Sequence, residues 1–143
     1  YRLLKDRNSL ILSPIHLENK EEKYFITENQ IEVKVPLNLS FCKAADISFD
    51  SNKTIFVDAD KLQYPLILRH WNKGDSFQPF GMNGKSKKVS KLFKDEKLSL
   101  VEKENSWLLC SNDEIVWIIG LRQDERFKIE NTTTNRLKIQ LEE

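Results

Sequence analysis

Short apolar segments that repeat every second residue, broken by polar turns, constrain the fold of this chain most. Leu137, Ile139 and Leu141 alternate with Lys138, Gln140 and Glu142, and Ile31, Val33 and Val35 alternate with Glu32, Lys34 and Pro36. A period of two sends successive side chains to opposite faces of an extended segment, so each run reads as a strand with one buried face. Pro36 has no amide to donate and marks a strand end or a sheet edge. Thr54–Val57 and Leu66–Trp71 are further strand candidates. Trp107–Cys110 and Ile115–Ile119 flank the polar Ser111–Glu114, as Tyr1–Leu4 and Leu10–Leu12 flank Lys5–Ser9, and both arrangements predict hairpins. Ser48–Lys53 and Asn72–Asp75 are the clearest turn breaks. The expected fold class is α+β: a β-rich, sandwich-like core with one or two short helices.

Helical periodicity is confined to one stretch, Lys87–Asp95. At ~100° per residue, Val89, Leu92 and Phe93 share one face, and Lys87, Lys91 and Lys94 fall within about 60° of one another on the opposite face. Ser86 is placed to cap this helix, because its hydroxyl can accept from an early unpaired amide. The helix is expected to begin near Lys87, with an apolar inner face and a cationic outer one.

The charge is as localised as the helical period. The 143-residue chain has a formal net charge of only +1. Residues 1–64 sum to −1, residues 65–97 to +5 and residues 98–143 to −3. We therefore read 1–64 as a β-rich N-terminal part and 65–143 as a basic C-terminal domain packed on it. The basic segment also holds Gly74, Gly81 and Gly84, three of the four glycines in the chain, with Pro79 between them. Asn83-Gly84 is a strong turn dipeptide. The pattern predicts a strand ending near Trp71, an irregular loop, and then the cationic helix. Amides in such a loop can meet phosphate oxygens, and exposed lysines draw a phosphate backbone by releasing its counterions. Arg69, Lys73, Lys85, Lys87, Lys88, Lys91 and Lys94 are the candidate nucleic-acid contacts, with Arg122 and Arg126 added from the following segment. Arg69 has an alternative use, as an ion-pair partner of Asp75. Trp71, Phe77, Phe80 and Phe93 either stack on bases or belong to the core, and Phe93 shares the buried helix face.

Several other functions are disfavoured. Gly84-Lys85-Ser86 imitates the end of a nucleotide-binding P-loop, but the first glycine of that pattern would fall on Pro79, which has neither the amide nor the φ freedom a phosphate cradle uses. No catalytic residues, cofactor site or metal site are expected. His16 and His70 stand far apart with no ligand at metal spacing. Cys42 and Cys110 read as two buried thiols in a reducing compartment, which points to the cytoplasm. The longest apolar run, Ile115–Leu121, is interrupted by Gly120 and falls well short of the ~20 residues a membrane-spanning helix needs. The chain opens on Tyr1, and a piece of a longer protein is expected.

The residues Leu68-Arg69, Gly74-Asp75, Pro79, Gly81, Gly84, Lys87-Lys88, Ser90, Leu92-Phe93, Asp95 and Lys97 resemble the C-terminal domain of bacterial tRNA(Ile)-lysidine synthetase. Leu108-Leu109, Val116-Trp117-Ile118, Gly120 and Arg122 continue the pattern. The resemblance runs from about Asp58 to Arg126; before that only the β-rich character matches. Ser99 stands where the family often has proline, and Lys103 where it often has arginine. The resemblance implies a β-rich fold shared with part of the phenylalanyl-tRNA synthetase β subunit. It implies a parent ligase that uses ATP to activate the wobble cytidine of an isoleucine tRNA and then couples free lysine to it. The catalytic and ATP-binding site would lie in an N-terminal domain whose Ser-Gly-Gly-x-Asp-Ser loop does not occur here. The domain itself would hold the tRNA, with Lys87 and Lys88 as the best matched contacts. A structural or interaction module without RNA contact, including a homodimer, remains the alternative.

Overall fold

A computed structural model of the chain describes residues 23–44 and 52–142. The expected hairpin of Tyr1–Leu4 and Leu10–Leu12, His16, and most of the Ser48–Lys53 turn lie outside the described residues. Eleven strands are present among those described: β1 Lys23–Ile26, β2 Glu32–Val33, β3 Leu39–Lys43, β4 Thr54–Asp58, β5 Leu66–His70, β6 Ser76–Phe77, β7 Lys87–Lys88, β8 Trp107–Ser111, β9 Glu114–Ile118, β10 Arg122–Gln123 and β11 Arg136–Leu141. Two short helices, α1 Val89–Asp95 and α2 Leu100–Glu104, complete the regular elements apart from two 3-10 turns.

The strands form an antiparallel sheet in the order β1-β5-β8-β9-β10, a second in the order β2-β3-β11-β4, and a two-stranded ribbon, β6-β7. Both larger sheets draw strands from either side of the 64/65 boundary. β1 joins β5, and β11 lies between β3 and β4. The fold is thus the expected β-rich α+β sandwich with two short helices.

The five-stranded sheet is buried on both faces, and its sequence shows why. Leu66, Leu68, Leu109 and Trp117 point toward Leu39, Phe41, Ile55, Val57 and Ile139 of the second sheet. Leu108, Cys110, Ile115 and Ile118 point the other way, onto Val89, Leu92 and Phe93 of α1 and onto Phe77. Strands covered on both sides read as continuous apolar runs, which is the character of Leu108–Cys110 and Ile115–Ile118. Pairing of Leu109 with Trp117 and of Cys110 with Ile115 leaves Val116 as one extra residue on β9. This β-bulge shifts the alternation, so Val116 and Trp117 both serve the sandwich core while Ile115 and Ile118 both serve the helix side. Each fully buried Leu, Ile or Phe side chain contributes about 1.5–3 kcal/mol relative to leaving it in water.

Some local expectations need correction. The Ile31–Val35 alternation yields only the two-residue β2; Val33 is buried but Ile31 and Val35 are exposed. Cys42 is exposed, because it falls on the outward side of β3 next to the buried Phe41, so only Cys110 is a buried thiol. Sequence reading overlooked β1 and β3 altogether. It also missed α2, although Ser99 and Glu102 stand at capping-box spacing. The Ser99 hydroxyl accepts from the Glu102 amide at 3.1 Å and the Glu102 carboxylate accepts from the Ser99 amide at 2.8 Å.

Candidate nucleic-acid interface

The basic segment is a hairpin followed by a helix. β5 leaves the sheet at His70, and Gly74, at φ 98°, turns the chain back. Asp75 organises this turn: its amide donates to the Asn72 carbonyl at 3.0 Å and its carboxylate accepts from the Asn72 amide at 2.6 Å. The same carboxylate takes both ends of the Arg69 guanidinium, at 2.9 and 3.2 Å, where both side chains are largely buried. Burial opposes charge on Arg69, and the Asp75 carboxylate outweighs it, holding the guanidinium above its ordinary pKa. Arg69 therefore builds the turn rather than facing outward.

β6 then pairs with β7, Ser76 opposite Lys88 and Phe77 opposite Lys87. The expected helix start is displaced by this pairing. Lys87 and Lys88 are recruited into a strand, α1 begins at Val89, and Lys88 rather than Ser86 occupies the cap position without a side-chain cap bond. The Val89 amide donates instead to the Asp75 carbonyl at 2.9 Å. Val89, Leu92 and Phe93 are buried as the helical phase required. The helix ends in a Schellman arrangement: the Lys97 amide donates to Lys94 and the Leu98 amide to Phe93, both at 3.1 Å, with Lys97 at φ 59°.

The hairpin tip is tied down by the segment after β10. The fully buried Asp124 accepts from the Gln78 amide at 2.8 Å, the Arg126 amide at 2.7 Å, and Arg126 Nε and Nη2 at 3.0 and 2.9 Å. Glu125 accepts from the Gly81 amide at 2.9 Å, and the Phe80 amide donates to the Gln123 carbonyl at 2.9 Å. Arg122 Nη2 donates to the Phe80 carbonyl at 2.9 Å. Arg126 also reaches Glu114 at 3.0 Å, and its pKa is raised chiefly by the hydrogen bonds to Asp124. Arg122 and Arg126 thus brace the loop from beneath. Most of the loop amides are consumed in the same way. Met82 donates to Pro79 and Lys85 to Met82, so the backbone offers little of the expected phosphate cradle.

What remains outward is lysine. Lys87 Nζ lies 2.7 Å from Asp95 and Lys91 Nζ lies 3.0 Å from it, so one carboxylate serves two ammonium groups. The hydrogen bond from Lys87, then that from Lys91, holds the Asp95 pKa below its ordinary value. Lys73, Lys85, Lys88, Lys94 and Lys97 are exposed and have no ion-pairing carboxylate among the described residues. Lys97 was not among the sequence candidates. Of the aromatic candidates, Phe77 and Phe93 are core residues, and Trp71 is half-buried with its ring perpendicular to Phe93 at a centroid distance of 5.1 Å. The His70 ring packs on Trp107 at 3.9 Å, and its Nδ1 lies 3.2 Å from the Ser106 carbonyl. No group of three or more metal-ligating side chains occurs among the described residues.

The sequence and the fold have known counterparts. The chain is 46% identical over 138 residues to a tRNA(Ile)-lysidine synthase from Parabacteroides distasonis and 37% identical over 142 residues to one from Bacteroides thetaiotaomicron. Each comparison covers 93% of this chain, which spans 31% and 29% of those relatives. A crystal structure of the TilS C-terminal domain superposes with a TM-score of 0.68 at 22% identity, covering 83% of this chain and 95% of that one, and shares its fold. Residues 66–140, from the start of β5 almost to the end of β11, match the family described as the TilS substrate C-terminal domain, and the chain belongs to that family.

Proposed function

We propose that this chain is the tRNA-holding C-terminal part of a cytoplasmic tRNA(Ile)-lysidine synthase, and that it does no chemistry itself. The parent ligase would activate the wobble cytidine of an isoleucine tRNA with ATP and couple free lysine to it, in a domain this chain does not contain. Lys73, Lys85, Lys88, Lys91 and Lys94 are the proposed contacts to phosphates and sugars, with Lys87 behind them on Asp95. Arg69, Arg122 and Arg126 support them from below. The observation that carries this reading is the imbalance on the hairpin and α1: among the described residues, Asp95 alone ion-pairs with the lysines there. Such contacts position a nucleic acid without reading its bases, and a helical RNA is recognised mainly by shape.

The test is a titration of isoleucine tRNA against the chain at several salt concentrations. If roughly three to five phosphates are engaged, the log–log slope lies between about −2 and −4. Lys85→Glu, Lys88→Glu and Lys94→Glu combined abolish the binding. A triple variant that binds tRNA like the parent chain removes this placement of the surface. A chain with no salt-sensitive binding but a stable dimer in light scattering favours an interaction module instead.

A further inference from the structure

The exit of β5 forms one wall of a cleft of about 320 Å³, and α2 forms the other. Ligand pockets begin at about this size. His70, Trp71, Asn72 and Lys73 line the strand side, and Leu100 and Lys103 line the helix side, with Glu104 completing the lining. The chemistry is mixed in a particular way. Trp71 offers an aromatic ring and Leu100 an aliphatic side chain that is 69% exposed, while Lys73 and Lys103 add two positive charges against the one negative charge of Glu104.

Both walls are fixed. The Trp71 ring is set against the fully buried Phe93. Asn72 is held by Asp75, and α2 is held by its capping box and by the bond from Ser106 Oγ to the Glu102 carbonyl at 2.9 Å. A flat ring, an exposed aliphatic side chain and two ammonium groups match a ligand that carries a flat apolar face and a negative charge a few bonds away. A nucleotide has that form. Lys73, one of the proposed phosphate contacts, also lines the cleft.

We infer that this cleft takes one unpaired nucleotide of the bound RNA, its base against Trp71 and Leu100 and its phosphate between Lys73 and Lys103. The inference rests on the RNA-binding reading above and adds a single-stranded site to it. A duplex keeps its bases stacked inside, so it can use the lysines of the hairpin and α1 but cannot fill the cleft.

The experiment separates the two. Labelled tetra-adenylate and a labelled blunt RNA duplex are titrated by fluorescence anisotropy against the parent chain, Trp71→Ala, Lys103→Glu, and Lys88→Glu combined with Lys94→Glu. Loss of one stacked base weakens tetra-adenylate binding roughly tenfold in Trp71→Ala, and Lys103→Glu weakens it several-fold, while duplex binding by both stays near the parent's. The Lys88/Lys94 variant shows the reverse preference. Circular dichroism checks that Trp71→Ala folds, and Lys103→Glu decides the matter if it does not. Duplex binding with no tetra-adenylate binding, or tetra-adenylate binding unchanged in Lys103→Glu, overturns the cleft assignment and leaves the tRNA reading standing. Failure of both probes to bind overturns both. Binding of an acidic, leucine-containing peptide where tetra-adenylate does not bind assigns the cleft to a protein partner and overturns the inference.

Discussion

The Lys87 ammonium is bonded to the Asp95 carboxylate at 2.7 Å, joining the strand before α1 to the last turn of the helix. Because Lys91 shares that carboxylate, Asp95 subtracts one charge from the centre of the lysine surface. Asp95→Asn should therefore tighten tRNA binding a few-fold at low salt and steepen the log–log salt slope by up to about 0.9. Anisotropy titrations at three salt concentrations measure both quantities. Weaker binding in this variant would mean that Asp95 organises the lysines more than it neutralises them.

Acid should loosen the hairpin tip. The Glu125 pKa is lowered first by its hydrogen bond from Lys128 and then by the Gly81 amide, and Glu130 is lowered by Lys61. A carboxylate whose folded pKa lies below its unfolded value of about 4 stabilises the fold fully above that value. The stabilisation is lost as the pH falls through the lower, folded value. Thermal stability should thus stay level from neutral pH to about 5 and fall below about 4, with a shallower acid limb in Glu125→Gln. The Gly81 amide shift in NMR should follow the same titration.

Lys97 occupies the left-handed position that closes the Schellman turn, at φ 59°. A side chain there costs about 1 kcal/mol, because Cβ crowds the following carbonyl, whereas glycine adopts the conformation freely. Lys97→Gly should raise stability by about that amount in urea unfolding, with an unchanged m-value. Lys97→Ala should not.

The two thiols should react in two phases. Cys42 is exposed, while burial pushes the Cys110 thiol up to about 11, only partly offset by the nearby Arg69. A thiol reagent at pH 8 should modify Cys42 promptly and Cys110 only on unfolding. Prompt reaction of both would contradict the burial of the layer beneath α1.

The strands with the clearest alternation or the densest apolar runs, β4, β5, β8, β9 and β11, were legible because burial wrote their pattern directly. Val89, Leu92 and Phe93 were legible for the same reason. β1 and β3 were missed, although Leu39 and Phe41 do alternate with Ser40 and Cys42. Their apolar positions are few and polar residues surround them. The start of α1 was misread because Ser76 and Phe77, ten residues upstream, draw Lys87 and Lys88 into a ribbon that no local propensity announces. The charged residues were legible as a group but not individually. The Arg69–Asp75 pair is one of the two uses the sequence offered for Arg69, but spacing does not reveal that Asp124 and the Phe80 carbonyl hold Arg126 and Arg122. The Asp124-x-Arg126 spacing carries a trace of the second pairing, and Ser99-x-x-Glu102 a plain signal of α2.

Asp124 lies beneath the hairpin, where water cannot reach it. Its bonds to Gln78 and Arg126 make the hairpin a bracket fixed to the sheet rather than a strap that closes on its cargo. On the proposed reading, an RNA arriving at Lys85 and Lys88 would meet a backbone already in position, leaving mainly the lysine side chains to be ordered on binding. Capture should then proceed as rigid-body docking, its rate governed by long-range attraction and diffusion rather than by any folding of the loop.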